Sequence, residues 1–551
     1  RFHLNHWQPE LSAGGPRGYF DFGGALTTSN LGNGNATNSN QFNEYAQFLL
    51  GLSDDTQKGE QNILLTGREW QFGWFAQDTW QVSKNLTLDL GLRYALFPLM
   101  TRCCGKGIER YDPTTNLVHM GGRGNVPMDA GISVSHKLFA PRAGIAYRLG
   151  SKTVIRAGYG INFDPLPLSR PYRGYYPLTI NDRYSPLNSF SVANLASGAS
   201  GFIPATLANG IPPIIGPDLS TGLVPLDPKA AERTLEHFIH RGYIQSYNFT
   251  IERQLPEKVL FSAGYVGTHT VHEFGQLNIN AGYPGSGTTG LPLFAAWGRT
   301  AETGLFDGYL SSEYNSLQVT ANRQFANGLM LKGSYTWAHA IDYLDDDAGS
   351  SQSGVSWNWA PVFQRNRASA GWDQRQTFQL GWVYALPFGP GKKYVNSGIG
   401  SKILGNWQLS GVEACHTGTP LTIGAPGTSL DAPNNLQTAD QVMAQVPFLG
   451  GVGPGAHWYD PAAFAPVTTQ RFGTTGRNIL AGPGLWNTDL SISRIFAIKE
   501  RLKFEFRAEF YNLPNTSHFN NPDLGVTDSD FMQVTSSYGE RNVRFAGRFT
   551  W

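Results

Sequence analysis

The residues of this 551-residue chain that have the types needed for chemistry are few and poorly grouped. His269 and His272, followed by Glu273, carry the donor atoms of a metal group. On a strand, however, positions i and i+3 point to opposite faces, so the two rings should diverge. His237 and His240 lie in KAAERTLEHFIHRG (229–242), which reads as a short helix. There the same spacing shares a face, but with no third ligand in reach these are expected to be solvated loop histidines. The run Asp345-Asp346-Asp347 lacks the alternating ligands and the glycine of a calcium loop. It reads as a solvated loop charge, with weak cation binding as the alternative. Cys103 and Cys104 are adjacent, and a strained vicinal disulfide, free thiols or a soft-metal pair all stay open; Cys415 is the third cysteine. No phosphate-binding loop, nucleophile elbow or zincin motif occurs, and the glycines of 450–455 sit in a loop. The expectation is no catalytic residue, no cofactor site, no metal site and no enzyme.

Composition narrows the class. Charged residues are 15 %, against roughly 25 % in a soluble domain, and glycine reaches 65 residues. Aromatics are 13 %, with 14 Trp, 23 Tyr and 33 Phe. A net charge of +1 gives no electrostatic footprint for nucleic acid. No apolar run of 18 or more residues suggests a membrane helix. Three cysteines exclude a disulfide-dense scaffold. The sequence opens at Arg1 without a leader pattern and reads as the later part of a longer text.

What must position any site is a set of strands. Trp70, Phe72, Trp74, Ala76, Trp80 and Val82 share one parity, against Gln71, Gly73, Gln77, Thr79 and Gln81. After Ser83-Lys84-Asn85 the pattern restarts with Leu86, Leu88, Leu90, Leu92, Tyr94 and Leu96. Side chains alternate across a strand, so this is a hairpin with one apolar and one polar face. The same reading recurs at 142–149 with 155–163, at 247–252 with 259–265, and at 313–325 with 329–340. It continues at 372–386 with 403–417, at 485–498 with 502–513, and at 543–551. With a weaker opening strand near 17–22, the chain should have about fourteen.

Short and long connections alternate strictly. Within pairs they hold about three residues, 387–402 excepted; between pairs run 98–138, 164–242, 270–312, 341–371, 418–484 and 514–539. Short turns at one rim and long loops at the other mark an outer-membrane barrel, with periplasmic and extracellular rims respectively. Closure is the way a sheet satisfies its edges in lipid. The fold class is therefore all-β, an antiparallel transmembrane β-barrel. Trp70, Trp80, Trp337, Trp372, Trp407, Trp486 and Trp551 fall near strand ends, as interfacial girdles require. Asp78 is on the apolar parity and is expected at headgroup depth. The segment 38–52 should hold a short helix packed in a loop.

Particular phrases resemble a family. WFAQDTWQVSKNLTLDLGLRYALF (74–97), APRAGIAYRLGSKTVIRAGYGINFD (140–164) and YNSLQVTANRQFANGLMLKGSYTWAHAIDY (314–343) are similar to TonB-dependent, Oar-like outer-membrane receptors of the Acidobacteria type. So are GNWQLSGVEACHTGTPLTI (405–423) and FRAEFYNLPNTSHFNNP (506–522). The resemblance covers most strands and thins in the long loops. It implies a Gram-negative outer-membrane location and a barrel of about 22 strands preceded by a plug and an N-terminal regulatory-like domain. Residues 1–551 would then be the C-terminal barrel portion, with plug and regulatory-like domain absent. The implied function is import of a scarce extracellular solute, a saccharide or an iron chelate, through the barrel. The implied partners are outer-membrane lipid, the TonB energy-coupling system acting through the missing N-terminal part, and the barrel-assembly machinery. A passive porin, a structural or adhesive surface barrel, and a soluble all-β carbohydrate-binding protein are the alternatives; loop sorting argues against the last. Trp551 and Phe549 close an alternating terminal strand, the form of an assembly signal or of an interfacial anchor.

Overall fold

The computed structural model describes residues 2–7, 17–27, 41–63, 66–165, 176–187, 191–196, 201–345, 354–499 and 501–551. Its main sheet has 16 strands, fourteen of them on one path on which every neighbour is the next barrel strand in sequence. They are β1 (Phe2–Trp7), β2 (Gly67–Gln81), β3 (Leu86–Leu96), β4 (Leu138–Leu149), β5 (Thr153–Phe163), β6 (Tyr243–Leu255) and β7 (Val259–Asn278). The path continues through β8 (Thr303–Ala326), β9 (Leu329–Asp342), β10 (Gln376–Ala385), β11 (Trp407–His416), β12 (Leu485–Ala497), β13 (Lys503–Tyr511) and β14 (Asn542–Thr550). All thirteen ladders along it are antiparallel. Such a path sends alternate connections to opposite rims. The tight turns after β2, β4, β6, β8 and β12 therefore share a rim, and the long loops share the other.

Register carries the apolar parity from strand to strand. Trp74 faces Tyr94, Leu88 faces Ile145, Ile145 faces Ala157, and Ala157 faces Phe249. The row goes on through Tyr265, Leu317 and Trp337. At the far side Trp407 faces Arg494, Arg494 faces Phe506, and Phe506 faces Gly547 beside Phe545. These outward residues are uncovered: Phe249 is 47 %, Trp337 58 % and Phe545 71 % exposed. A continuous exposed apolar face opposite a polar one has its solvent in lipid. This is the wall of an antiparallel transmembrane β-barrel. Among the described residues no helix is long and apolar enough to cross a membrane.

Four expectations need correction. The first barrel strand is 2–7, not 17–22; Tyr19–Asp21 joins a separate three-stranded sheet with Asp55–Gln61 and Thr179–Tyr184. Segment 229–242 is not helical. Glu232–Leu235 adds in parallel to the upper end of β8, and Phe238–Ile239 pairs with Ser133–Val134, so sheet pairing overrides local propensity. The strand expected from 403 begins at Trp407, because Gly398–Leu404 is a short helix. The connection expected over 270–312 contracts to 279–302, since β7 runs for 20 residues and β8 for 24. Their upper parts project past the girdle into the loops. The expected helix in 38–52 is present as Gln41–Leu50.

Candidate functional site

The lumen face is built by the polar parity. Thr79 donates to Asp89 at 2.6 Å, Arg142 to Asn162 at 2.7 Å, and Arg156 pairs with Glu252 at 3.4 Å. On β13, Arg507 bridges Glu505 (2.7 Å) and Glu509 (3.3 Å), while Arg548 and Arg544 stand opposite those two carboxylates on β14. Cross-strand opposite charges of this kind stabilise a sheet face. A groove of 420 Å³ runs down this wall between Lys332, Val383, Val412, Asp489, Glu509 and Tyr511. It offers one cation, two carboxylates and an apolar floor, a surface for a polar solute with a hydrophobic side.

Above the wall the long loops fold into a cap with its own cores. Tyr111, Val118, Met120, Tyr176, Leu178, Ile180 and Val224 form one cluster. Trp357, Val362, Leu430 and Phe472 form another, from two different loops. Fully buried Arg299 ties the loops together by donating to the carbonyls of Asp227 (2.8 Å) and Ala230 (3.0 Å) and to Thr303 Oγ1 (2.8 Å). Beside it, burial pushes the Glu232 carboxyl well above the usual carboxylate range, a shift that Arg299 opposes. Asp182 is raised to about 6 by burial, reinforced by Asp227. Lys229 is lowered to about 8 by burial, held by the Leu195 carbonyl at 2.6 Å and lying over the Tyr184 ring at 4.3 Å.

Where cap meets wall, a 270 Å³ pocket collects Glu273, Glu313, Asp342 and Asp345 with Tyr314 and Trp372. Several of these acids are matched. Arg367 is 3.5 Å from Glu313, and the buried Arg477 reaches both Asp342 and Asp345, the latter at 2.9 Å. The seam between cap and wall is therefore a paired polar rim.

The sequence-predicted residues scatter. His237 and His240 part company: the first lies 2.6 Å from the Gly131 carbonyl, the second 2.6 Å from Asp307. His269 approaches Glu313 at 3.7 Å, whereas His272 turns to the Gly308 carbonyl at 2.8 Å. A bulge between Val271 and Glu273, with His272 at φ 54°, separates them. What the fold does bring together is a pair from different motifs, His240 stacked on His272 with centroids 5.4 Å apart. Stacked rings do not converge their nitrogens, and among the described residues no group of three or more His, Cys, Asp and Glu is arranged to hold a metal. Asp345 joins the rim through Arg477 and accepts from the Gly371 amide; Asp346 and Asp347 lie outside the described residues.

Cys103 and Cys104 are free thiols on the wall of a 220 Å³ pocket with Arg102, Lys106 and Arg123. The Cys104 thiol donates to the Cys103 sulfur at 3.0 Å, which pulls Cys103 below its ordinary range and pushes Cys104 above it. Cys415 is free on the outward face, between Phe378 and Trp486. Asp78 is exposed on the outward parity, directly across from Leu90 and two residues from Trp80. Phe549 lies outward against Phe504, centroids 4.8 Å apart, and Trp551 follows the strand at 89 % exposure.

Sequence reasoning missed the cap's ionic core. Its signal is faint: Asp182, Asp227, Lys229, Glu232 and Arg299 come from distant positions in otherwise loop-like text.

Comparison with known proteins places these features. A family model described as "Outer membrane beta barrel domain" matches residues 1–544. No curated protein matches the chain. Among solved structures, the pyoverdine outer membrane receptor FpvA of Pseudomonas aeruginosa is 13% identical, with 89% of this chain and 43% of that chain covered at a TM-score of 0.41. The outer membrane transporter YddB of Escherichia coli is 8% identical over 90% of this chain and 55% of that chain, TM-score 0.43. The ferric-catecholate import receptor Fiu of E. coli is 12% identical over 88% and 45%, TM-score 0.37. The chain thus spans between 43% and 55% of the length of these three structures.

Proposed function

The chain belongs to the outer membrane beta barrel domain family, and from that premise we propose that it is the barrel of an energy-coupled receptor importing a scarce solute. The observation that carries this reading is the division of labour between wall and cap. A passive pore needs a lumen; it has no use for loops folded around their own cores and closed by buried charges. A receptor needs both, a structured outer surface to select and a polar lumen to pass the solute on. The finer identity follows the resemblance: an Oar-like, TonB-dependent receptor of the Acidobacteria type, of which residues 1–551 are the C-terminal barrel portion. A plug, a TonB-contacting segment and further strands toward about 22 would belong to the rest of the receptor. The proposal assigns the barrel no catalytic step. An iron chelate and a saccharide both suit a groove with an apolar floor, two carboxylates and a lysine.

Uptake in the native host tests this. Cells carrying the full-length gene should accumulate labelled ferric chelate or oligosaccharide, and uptake should vanish with the gene, with TonB, or with a proton uncoupler. Uptake that persists without energy, together with ohmic conductance in planar bilayers, would make the protein a porin. Unchanged uptake with lost adhesion would make it a structural barrel.

The terminal strand belongs to the same proposal. Phe549 lies outward on the last strand of the path and Trp551 follows it, 89 % exposed, the form that strand-adding assembly machinery reads. Deleting Trp551 should leave full-length receptor degraded in the periplasm. Normal surface levels would reduce the residue to an interfacial anchor.

A further inference from the structure

Five of the six connections at the tight-turn rim hold only a few residues; the sixth, 386–406, holds a helix. We propose that this connection is a membrane-surface anchor that binds anionic phospholipid of the periplasmic leaflet.

Its position is fixed from the outside of the barrel. Trp407 and Arg494 lie on the outward parity at this rim, opposite each other in the β11–β12 ladder. Trp407 Nε1 donates to the Ile403 carbonyl at 3.0 Å. Arg494 donates to the carbonyls of Ile403 and Lys402 while its guanidinium lies 4.3 Å from the Phe496 centroid and 5.5 Å from that of Trp407. The last turn of Gly398–Leu404 is therefore bolted to the girdle on the lipid side of the wall, not tucked into the lumen.

Its surface then faces the membrane boundary. Ile399 is 76 %, Ile403 60 % and Leu404 51 % exposed, continuous with the outward aromatics below which they sit. Water is a poor solvent for three adjacent aliphatic side chains, and the acyl region beside Trp407 is at hand. Around them stand Lys392, Lys393 and Lys402, all exposed; among the described residues none of the three forms an ion pair. At the loop rim cations are paired instead: Arg367 meets Glu313, and Arg375 meets Asp373 at 2.8 Å. Lysines without an ion-pair partner, Lys393 lying 5.1 Å from the Tyr394 ring centroid, beside an apolar patch at headgroup level complement lipid phosphates carrying net negative charge. Each cation strengthens such binding roughly fivefold.

The test uses the full-length protein in nanodiscs of phosphatidylcholine alone or with one third phosphatidylglycerol, read by hydrogen exchange of peptides within 392–404. Phosphatidylglycerol should slow exchange there about tenfold or more, with β6 peptides as an unaffected internal reference. The triple variant Lys392→Gln, Lys393→Gln, Lys402→Gln should erase the dependence on lipid charge. Ile399→Ser with Ile403→Ser should raise exchange in both compositions. Heat-modifiable gel mobility checks that each variant barrel is folded, and the charge variants leave the Arg494 and Trp407 contacts in place. Equal exchange in the two lipids, or protection that survives the triple variant, overturns the proposal. So does protection that arises only when periplasmic protein is added.

Discussion

The wall and the cap are made from the same chain by opposite rules. In the wall, large apolar side chains point out and remain uncovered: Phe249 and Trp337 have no protein over them. The cap buries them as a soluble domain does, with Trp357, Phe306, Ile423 and Tyr111 at 1 % exposure or less. Polar groups follow suit. The wall holds its charges in solvated rows such as Glu505–Arg507–Glu509 along β13, with Arg548 and Arg544 opposite on β14, where each pair contributes little on its own. The cap buries Arg299 and Glu232 outright and satisfies the guanidinium with carbonyls and a hydroxyl, while Glu232 Oε2 is left without a hydrogen-bond partner among the described residues. The wall therefore owes its stability to backbone ladders and lipid, and the cap to side-chain packing. The two should fail separately.

The largest separation is expected at Trp357. Its ring is fully buried against Val362, Leu430 and Phe472, and its Nε1 donates to the Leu436 carbonyl at 3.0 Å. Trp357→Ala should cost the cap about 3–5 kcal/mol. Proteolysis should then open the loops around 354–373 and 425–437 while heat-modifiable mobility of the barrel stays normal. Loss of both together would show cap and wall to be one cooperative unit.

A somewhat smaller effect tests the wall. Phe249 points to lipid and Asn248, its neighbour on β6, to the lumen. Phe249→Arg should cost about 2–4 kcal/mol and Asn248→Arg close to nothing, measured by urea unfolding in lipid vesicles. Equal costs would mean that the parity assignment is wrong.

These rules explain what was legible. Period two is visible where one face meets lipid and the other water, so Trp70–Val82, Leu86–Leu96 and Val543–Trp551 could be read directly as strands. It disappears where both faces are covered. Residues 303–310 are nearly all buried on either side of β8, and there the alternation ends although the strand does not. The bulge at His272 breaks parity for a different reason, a left-handed residue that slips the register by one. The opening strand hid because FHLNHW alternates too weakly to stand out before its partner 67–72 is known. The cap was illegible throughout. Its contacts join Tyr111 to Thr234 and Trp357 to Leu436, and no local pattern encodes such distances. The rim pocket suffered likewise, since Arg477 and Asp342 are 135 residues apart.

The smallest effect concerns pH and sharpens the contrast. Asp182 titrates near 3.8 when unfolded and is raised to about 6 in the cap by burial and by Asp227, with Lys229 acting the other way. Its folded form thus holds a proton that the unfolded form has lost across that window. Burial costs nothing extra below pH 4, and the penalty grows as pH rises to about 6. Lys229 carries the mirror term: lowered to about 8 from 10.5, it penalises the folded cap at pH values below 8 and is relieved as pH rises toward 10.5. Burial pushes Glu232 in the same direction as Asp182, so any proton it holds that the unfolded chain has lost adds to the penalty that grows as pH rises. Asp182 and Lys229 together should make their part of the cap least stable between about pH 6 and 8, Asp182 by about 1–2 kcal/mol on the acid side once partial solvation is allowed for. Hydrogen exchange of 179–184, corrected for its intrinsic pH dependence, reads this directly against β6 as reference. Asp182→Asn should shrink the acid limb and stabilise the cap at pH 7, leaving the alkaline limb to Lys229. An acid limb undiminished by the substitution would assign the proton to another group, and one shared by β6 would erase the distinction between cap and wall.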